Sequence, residues 1–161
     1  VDAKQVIHVK IGEVKVGKEG DLLKATLGSC VGIAVLWKSK NRYALAHCLL
    51  PESPSTTYQI GGKYVDQAVP SLLSMLGIKA DQYGELEVYL AGGGNMMEQL
   101  SRRNPHHIGL QNAAAAKKVI TGLGIKIKDA MLGGEQAHQI SINCTTGQVL
   151  MSKLEKPAAK D

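Results

Sequence analysis

The chain has 161 residues, 44% of them hydrophobic and 20% charged, with a net charge of +5 and three cysteines. That balance describes a globular chain able to bury a core without metal or disulfide staples, and it excludes an intrinsically disordered one. Three sparse cysteines without a CxxC pair argue against a disulfide framework and against a structural zinc site.

Gln5 to Val16 alternates apolar and polar side chains around Gly12, which predicts two short strands or one bulged strand. Lys18 to Asp21 reads as a turn, and Leu22 to Leu27 as a short strand leading to Gly28-Ser29-Cys30. Val31 to Trp37 is a nearly continuous apolar run, the pattern of a buried strand. A polar connection (Lys38 to Arg42) joins it to the strand Tyr43 to Leu50, which Pro51 ends. A Pro-, Ser- and Thr-rich loop to Gly62 precedes Lys63 to Leu76, where Val65, Ala68, Val69, Leu72, Leu73 and Leu76 recur at the spacing of one helical face. Pro70 inside that pattern predicts a kink or a split.

Leu86 to Ala91 predicts a strand ending in Gly92-Gly93-Gly94, followed by a loop through Arg102 and His107. Gly109 to Leu123 predicts a second helix with an Ala-rich face, and Ile125 to Met131 a strand before Gly133-Gly134. Gln139 to Asn143 and Gln148 to Leu154 form a final hairpin around Thr145-Thr146-Gly147. The expectation is one domain over residues 1–154 with a frayed tail at 155–161. Its class is α/β of the α+β type, with mostly antiparallel strands and two main helices packed outside the β-structure.

No apolar segment approaches the roughly 18 residues that span a bilayer, and no signal-peptide pattern opens the sequence, so a cytoplasmic location without membrane insertion is expected. The lysines are scattered and no phenylalanine is present, which argues against a nucleic-acid footprint. A mild positive charge suits an acidic protein partner.

The chemistry concentrates at Gly28-Ser29-Cys30 and His47. A lone cysteine beside an apolar run is more often a small buried hydrophobe. Placed after a Gly-Ser turn, however, it can have free backbone N–H groups nearby. Such groups at Gly28 and Ser29 could depress the thiol pKa and hold an oxyanion. If the two apolar runs pair as antiparallel strands, Cys30 and His47 meet, which is the minimum for thiol nucleophilic catalysis. A histidine within an apolar strand can equally be a satisfied core residue. Cys48 points to the opposite face, and with Cys144 reads as a core or surface thiol. His8, His138 and the pair His106-His107 show no zinc-ligand spacing. Gly92-Gly93-Gly94 lacks the order of a phosphate-binding loop.

Leu27-Gly28-Ser29-Cys30-Val31, with Ala46-His47 and Leu50-Pro51, resembles the CheD family of chemotaxis proteins, the chemoreceptor glutamine deamidases. The likeness continues through Gly62 to Ala68, Ala91 to Met96, Ile108-Gly109 with Asn112, Gly133-Gly134 and Thr146-Gly147, spanning about residues 7 to 152. It implies a layered α-β-β sandwich, Cys30 as nucleophile, His47 as general base and a Thr upstream of the cysteine as third member. Six positions upstream this chain has Lys24; Thr26 is the candidate. Where relatives often carry Arg after the second glycine pair, this chain has Ala137-His138. The resemblance also implies chemoreceptor cytoplasmic helices as substrate, a CheC-type phosphatase as partner and no cofactor. Two other readings stay open: a non-catalytic adaptor that binds receptors or phosphatase, and another thiol amidase or protease on this scaffold.

Overall fold

The computed structural model describes residues 5–55, 59–96 and 107–155. His106, the loop around Arg102 and the tail from Lys156 lie outside the described residues.

Among the described residues, nine strands form two sheets. The first has the order β1 (Gln5–His8), β3 (Asp21–Leu27), β8 (His138–Asn143), β9 (Gln148–Lys153). The second has the order β2 (Val14–Gly17), β5 (Arg42–Cys48), β4 (Val31–Trp37), β6 (Glu87–Gly92), β7 (Ile127–Leu132). Among the described residues, two α-helices, α1 (Val65–Leu76) and α2 (Ile108–Gly122), pack on the outer face of the second sheet. The layers are therefore helices, sheet, sheet, as expected, and the pairings are antiparallel except β1 with β3 and β6 with β7.

The central strand β4 is buried along its whole length because both of its faces are covered. Val31, Ile33, Val35 and Trp37 meet the helices, whereas Ala34 and Leu36 meet the first sheet. The run from Gln5 to Val16 resolves as two strands in different sheets, so the alternation carries the chain from one layer to the other. On α1, Val65, Ala68, Val69, Leu72, Leu73 and Leu76 are buried, the face that the spacing predicts. Each buried Leu contributes about 2 kcal/mol. Pro70 does not split this helix. It lies on the exposed side within one continuous element, so the cost of its missing N–H is borne next to water. The helix ends where Gly77 N–H bonds back to the Leu73 and Ser74 carbonyls.

Four connections cross between the sheets; residues 18–20, between β2 and β3, lie at one end of the sandwich and the other three near the opposite end. Residues 9–13 join β1 to β2, Gly28-Ser29-Cys30 joins β3 to β4, and residues 133–137 join β7 to β8. The glycine turn noticed in the sequence is thus one of the points where the chain changes layer.

Candidate active site

Antiparallel pairing of β4 and β5 sets Val31 opposite Cys48 and Gly32 opposite His47. Cys30 is one step beyond the ladder and two residues from Gly32, so it shares a face with Gly32 and is the diagonal neighbour of His47. Diagonal pairs stand about 7 Å apart at the backbone, within reach of long side chains. Both residues face the space between the sheets. Cys30 belongs to the buried cluster between the sheets that includes Leu27, Ala34 and Leu45, while Cys48 belongs to the cluster under the helices that includes Val65, Ala68 and Leu72. The structure therefore brings Cys30 and His47 together and sends Cys48 to the other face.

His47 is 4% exposed and is held at three points by the connection between β1 and β2. Its N–H donates to the Glu13 carbonyl (3.0 Å), its carbonyl accepts from Gly12 N–H (2.8 Å), and its Nδ1 lies 2.9 Å from the Val9 carbonyl oxygen. A carbonyl can only accept, so Nδ1 carries the proton and Nε2 keeps its lone pair. Burial depresses the imidazole pKa below its ordinary value, against smaller upward pulls from the Val9 bond and the Glu13 carboxylate. The result is a neutral imidazole with one basic nitrogen.

Cys30 departs from the expectation of an edge thiol with a depressed pKa. It is 5% exposed, and burial raises its pKa, outweighing the stabilising effect of its own backbone N–H. The resting group is a thiol that needs a base. Burial also raises the other two thiols, Cys48 beyond the reach of neutral chemistry and Cys144 to about 12.

The turn carrying Cys30 is fixed through three consecutive carbonyls. Gly28 accepts from Gly94 N–H (3.0 Å), Ser29 from Asn112 Nδ2 (2.9 Å) and Cys30 from Gly93 N–H (2.8 Å). This close weave explains the glycine clusters. Gly92 has φ 106, and a Cβ there would run into the Cys30 carbonyl. A Cβ on Gly109, in the first turn of α2, would run into the Gly94 carbonyl. The glycines after β6 serve backbone-to-backbone approach rather than phosphate binding.

Thr26, the expected third member, lines an open pocket of about 490 Å³ together with His8, Val9, Lys10, Ile11, Lys24 and His47. Its Oγ1 accepts from Gln139 Nε2 at 3.3 Å, and the His47 Nδ1 position is taken by the Val9 carbonyl. Lys24 lines the same pocket, one alternation along the same face of β3. Sequence reasoning missed Val9 because its contribution is a main-chain atom, which no residue type announces. His107, from the sequence's histidine pair, caps α2 by accepting Leu110 N–H on Nδ1. His138 is fully buried between the sheets. Among the described residues, no three His, Cys, Asp or Glu side chains group as metal ligands would, and no helix is long and apolar enough to cross a membrane.

Residues 49–153 match the family model described as CheD chemotactic sensory transduction. The chain belongs to the CheD family. The family match begins just after His47, and pairwise likeness carries the relationship across the turn at Cys30. A probable chemoreceptor glutamine deamidase CheD of Bdellovibrio bacteriovorus is 38% identical over 94% of this chain and 96% of its own length. A second CheD protein, of Ruegeria sp., is 38% identical over 88% of both chains. The chemoreceptor glutamine deamidase CheD of Thermotoga maritima is 34% identical over 91% of this chain and 90% of its own. The CheD resemblance read from the motifs around Cys30 and His47 therefore holds over most of the sequence.

Proposed function

We propose that this protein is a cysteine-dependent protein-glutamine deamidase acting on chemoreceptor cytoplasmic helices, converting glutamine side chains to glutamate with release of ammonia. The observation that carries the reading is the diagonal placement of Cys30 and His47 on one face, with the imidazole locked in the tautomer that leaves Nε2 basic. The names of its CheD relatives support the same reaction.

His47 Nε2 takes the proton of the Cys30 thiol as sulfur attacks the carboxamide carbon. The C–N bond of the tetrahedral intermediate breaks, and the imidazolium delivers that proton to departing ammonia, leaving a thioester. Water, deprotonated by the same nitrogen, attacks the thioester and releases glutamate and the thiol. The Val9 carbonyl supports each step by holding the ring, the part an acid plays in other triads. The Cys30 N–H, adjacent to Gly28 and Ser29, serves the developing oxyanion. Thr26 lines the pocket beside His47, with its hydroxyl accepting from Gln139. No cofactor takes part. A CheC-type phosphatase is the expected regulatory partner, and a receptor helix places the reaction in the cytoplasm.

Purified protein incubated with receptor fragments is expected to add about 1 Da per converted glutamine by mass spectrometry, the mass difference between an amide and an acid, and Cys30→Ala to add none. Equal conversion by wild type and Cys30→Ala would refute the reading; receptor capture without conversion by wild type would favour the adaptor. The pH profile adds a second check. His47 must be neutral to accept the thiol proton, and its pKa lies below the ordinary 6.5. The acid limb of kcat/KM is therefore expected below pH 6.5, with activity falling as pH drops through it.

A further inference from the structure

Asn112 is 0% exposed on α2, and its single Nδ2 donates to two carbonyls, Ser29 and Leu49, both at 2.9 Å. Ser29 immediately precedes Cys30, and Leu49 lies one residue past the end of β5, where the ladder between β4 and β5 has stopped. The amide thus takes the place of the next rung, spanning two strand ends that no longer bond to each other. Its Oδ1 is buried with no partner among the described residues, so the side chain is held by its donors alone.

The Ser29 carbonyl and the Cys30 N–H belong to one planar peptide and point in opposite directions. Fixing the carbonyl toward α2 turns the N–H away from the helix, toward the inter-sheet side where the Cys30 thiol lies. The downward pull of this N–H on its own thiol agrees with that direction. The flanking carbonyls of Gly28 and Cys30 are bound by Gly94 and Gly93, so Asn112 holds the middle peptide of the three.

We propose that Asn112 is a positioning residue that aims the Cys30 N–H at the oxyanion of the tetrahedral intermediate. The proposal rests on the deamidase reading above. It acts through the peptide and touches no substrate, so its loss affects the transition state more than binding. Small misplacements of catalytic groups cost on the order of 100-fold.

The test compares wild type, Asn112→Leu, Asn112→Ser and Cys30→Ala for kcat and KM on a receptor fragment, and for the rate of Cys30 alkylation by iodoacetamide. Alkylation displaces iodide at a saturated carbon and forms no oxyanion, so a role confined to the oxyanion leaves it alone. Asn112→Leu is expected to lose about 100-fold in kcat, with KM and the alkylation rate within about threefold of wild type. Asn112→Ser, which keeps one O–H donor, is expected to fall between the two, and it decides by the same criteria if the Leu variant does not fold. Unchanged kcat overturns the proposal, as does an alkylation rate that falls together with kcat, because loss of both marks general packing. Activity retained by Cys30→Ala would instead remove the deamidase reading itself.

Discussion

Cys30 and Cys48 stand at the same end of one strand pair, and both are buried, yet the two faces of that sheet treat them differently. On the helix side, Cys48 lies in the buried cluster that includes Val65, Ala68 and Leu72 of α1, and the thiol is one more packed atom. On the inter-sheet side, Cys30 lies where the chain crosses layers. There, α2 and the glycines after β6 hold its backbone, while a histidine with one free nitrogen stands diagonally opposite. Burial alone therefore does not distinguish the two cysteines. What differs is whether neighbouring backbone and base are fixed around the sulfur or merely pack against it.

The largest expected effect breaks that contrast at its centre. Cys30→Ala should abolish glutamine conversion, a loss of at least about 10⁴-fold, while leaving the thermal midpoint nearly unchanged. Cys48→Ala should do the reverse, keeping turnover and costing roughly 1 kcal/mol of stability for the lost packing. Turnover assays and thermal melts on the two variants check both statements, and loss of turnover in Cys48→Ala would erase the distinction. Next in size, Leu72→Ala empties the core beneath α1 and should cost about 3 kcal/mol, lowering Tm by roughly 10 °C. Its kcat at a temperature where it stays folded should match wild type.

The smallest effect concerns the inter-sheet side. His138 is fully buried, opposite Leu27 on β3 and Lys153 on β9, and neither ring nitrogen has a partner among the described residues. Burial, with the Lys153 charge, lowers its pKa, as burial does for His47. An unfolded chain binds protons at both imidazoles near pH 6.5, whereas the folded one resists. Stability is therefore full above about pH 6.5 and falls as pH drops below it, until the folded groups also titrate. His138→Leu should raise stability by about 1 kcal/mol near neutral pH and flatten the loss on acidification, measured by denaturant melts between pH 7.5 and 5.5. A slope as steep as that of wild type would assign the acid sensitivity elsewhere.

Much of this could be read from the sequence because it rests on side-chain patterns. The helical spacing from Val65 to Leu76, the unbroken apolar run of β4 and the glycine-marked final hairpin all appear where the pattern puts them. The run around Gly12 was ambiguous because alternation fixes faces and not sheets, and here one stretch supplies strands to both. Pro70 misled in the other direction, since its cost depends on whether the freed carbonyl faces water, which local sequence does not state. At the site, Cys30 and His47 were visible as residue types. The Val9 carbonyl and the three pinned carbonyls around Ser29 were not, because every residue owns those atoms and only the tertiary arrangement selects among them.

The weave around the Cys30 turn has a consequence for when the proposed chemistry would come into being. Residues 28–30, 92–94 and 112 are distant in sequence, and His47 is oriented by Val9 from yet another segment. None of these contacts is local, so each must await closure of loops tens of residues long. A partly folded chain already owns the thiol and the imidazole, but not the orientation that the proposed deamidation requires. On the proposed reading, catalytic competence is thus a late event of folding, and turnover is a more demanding measure of the native state than secondary structure content.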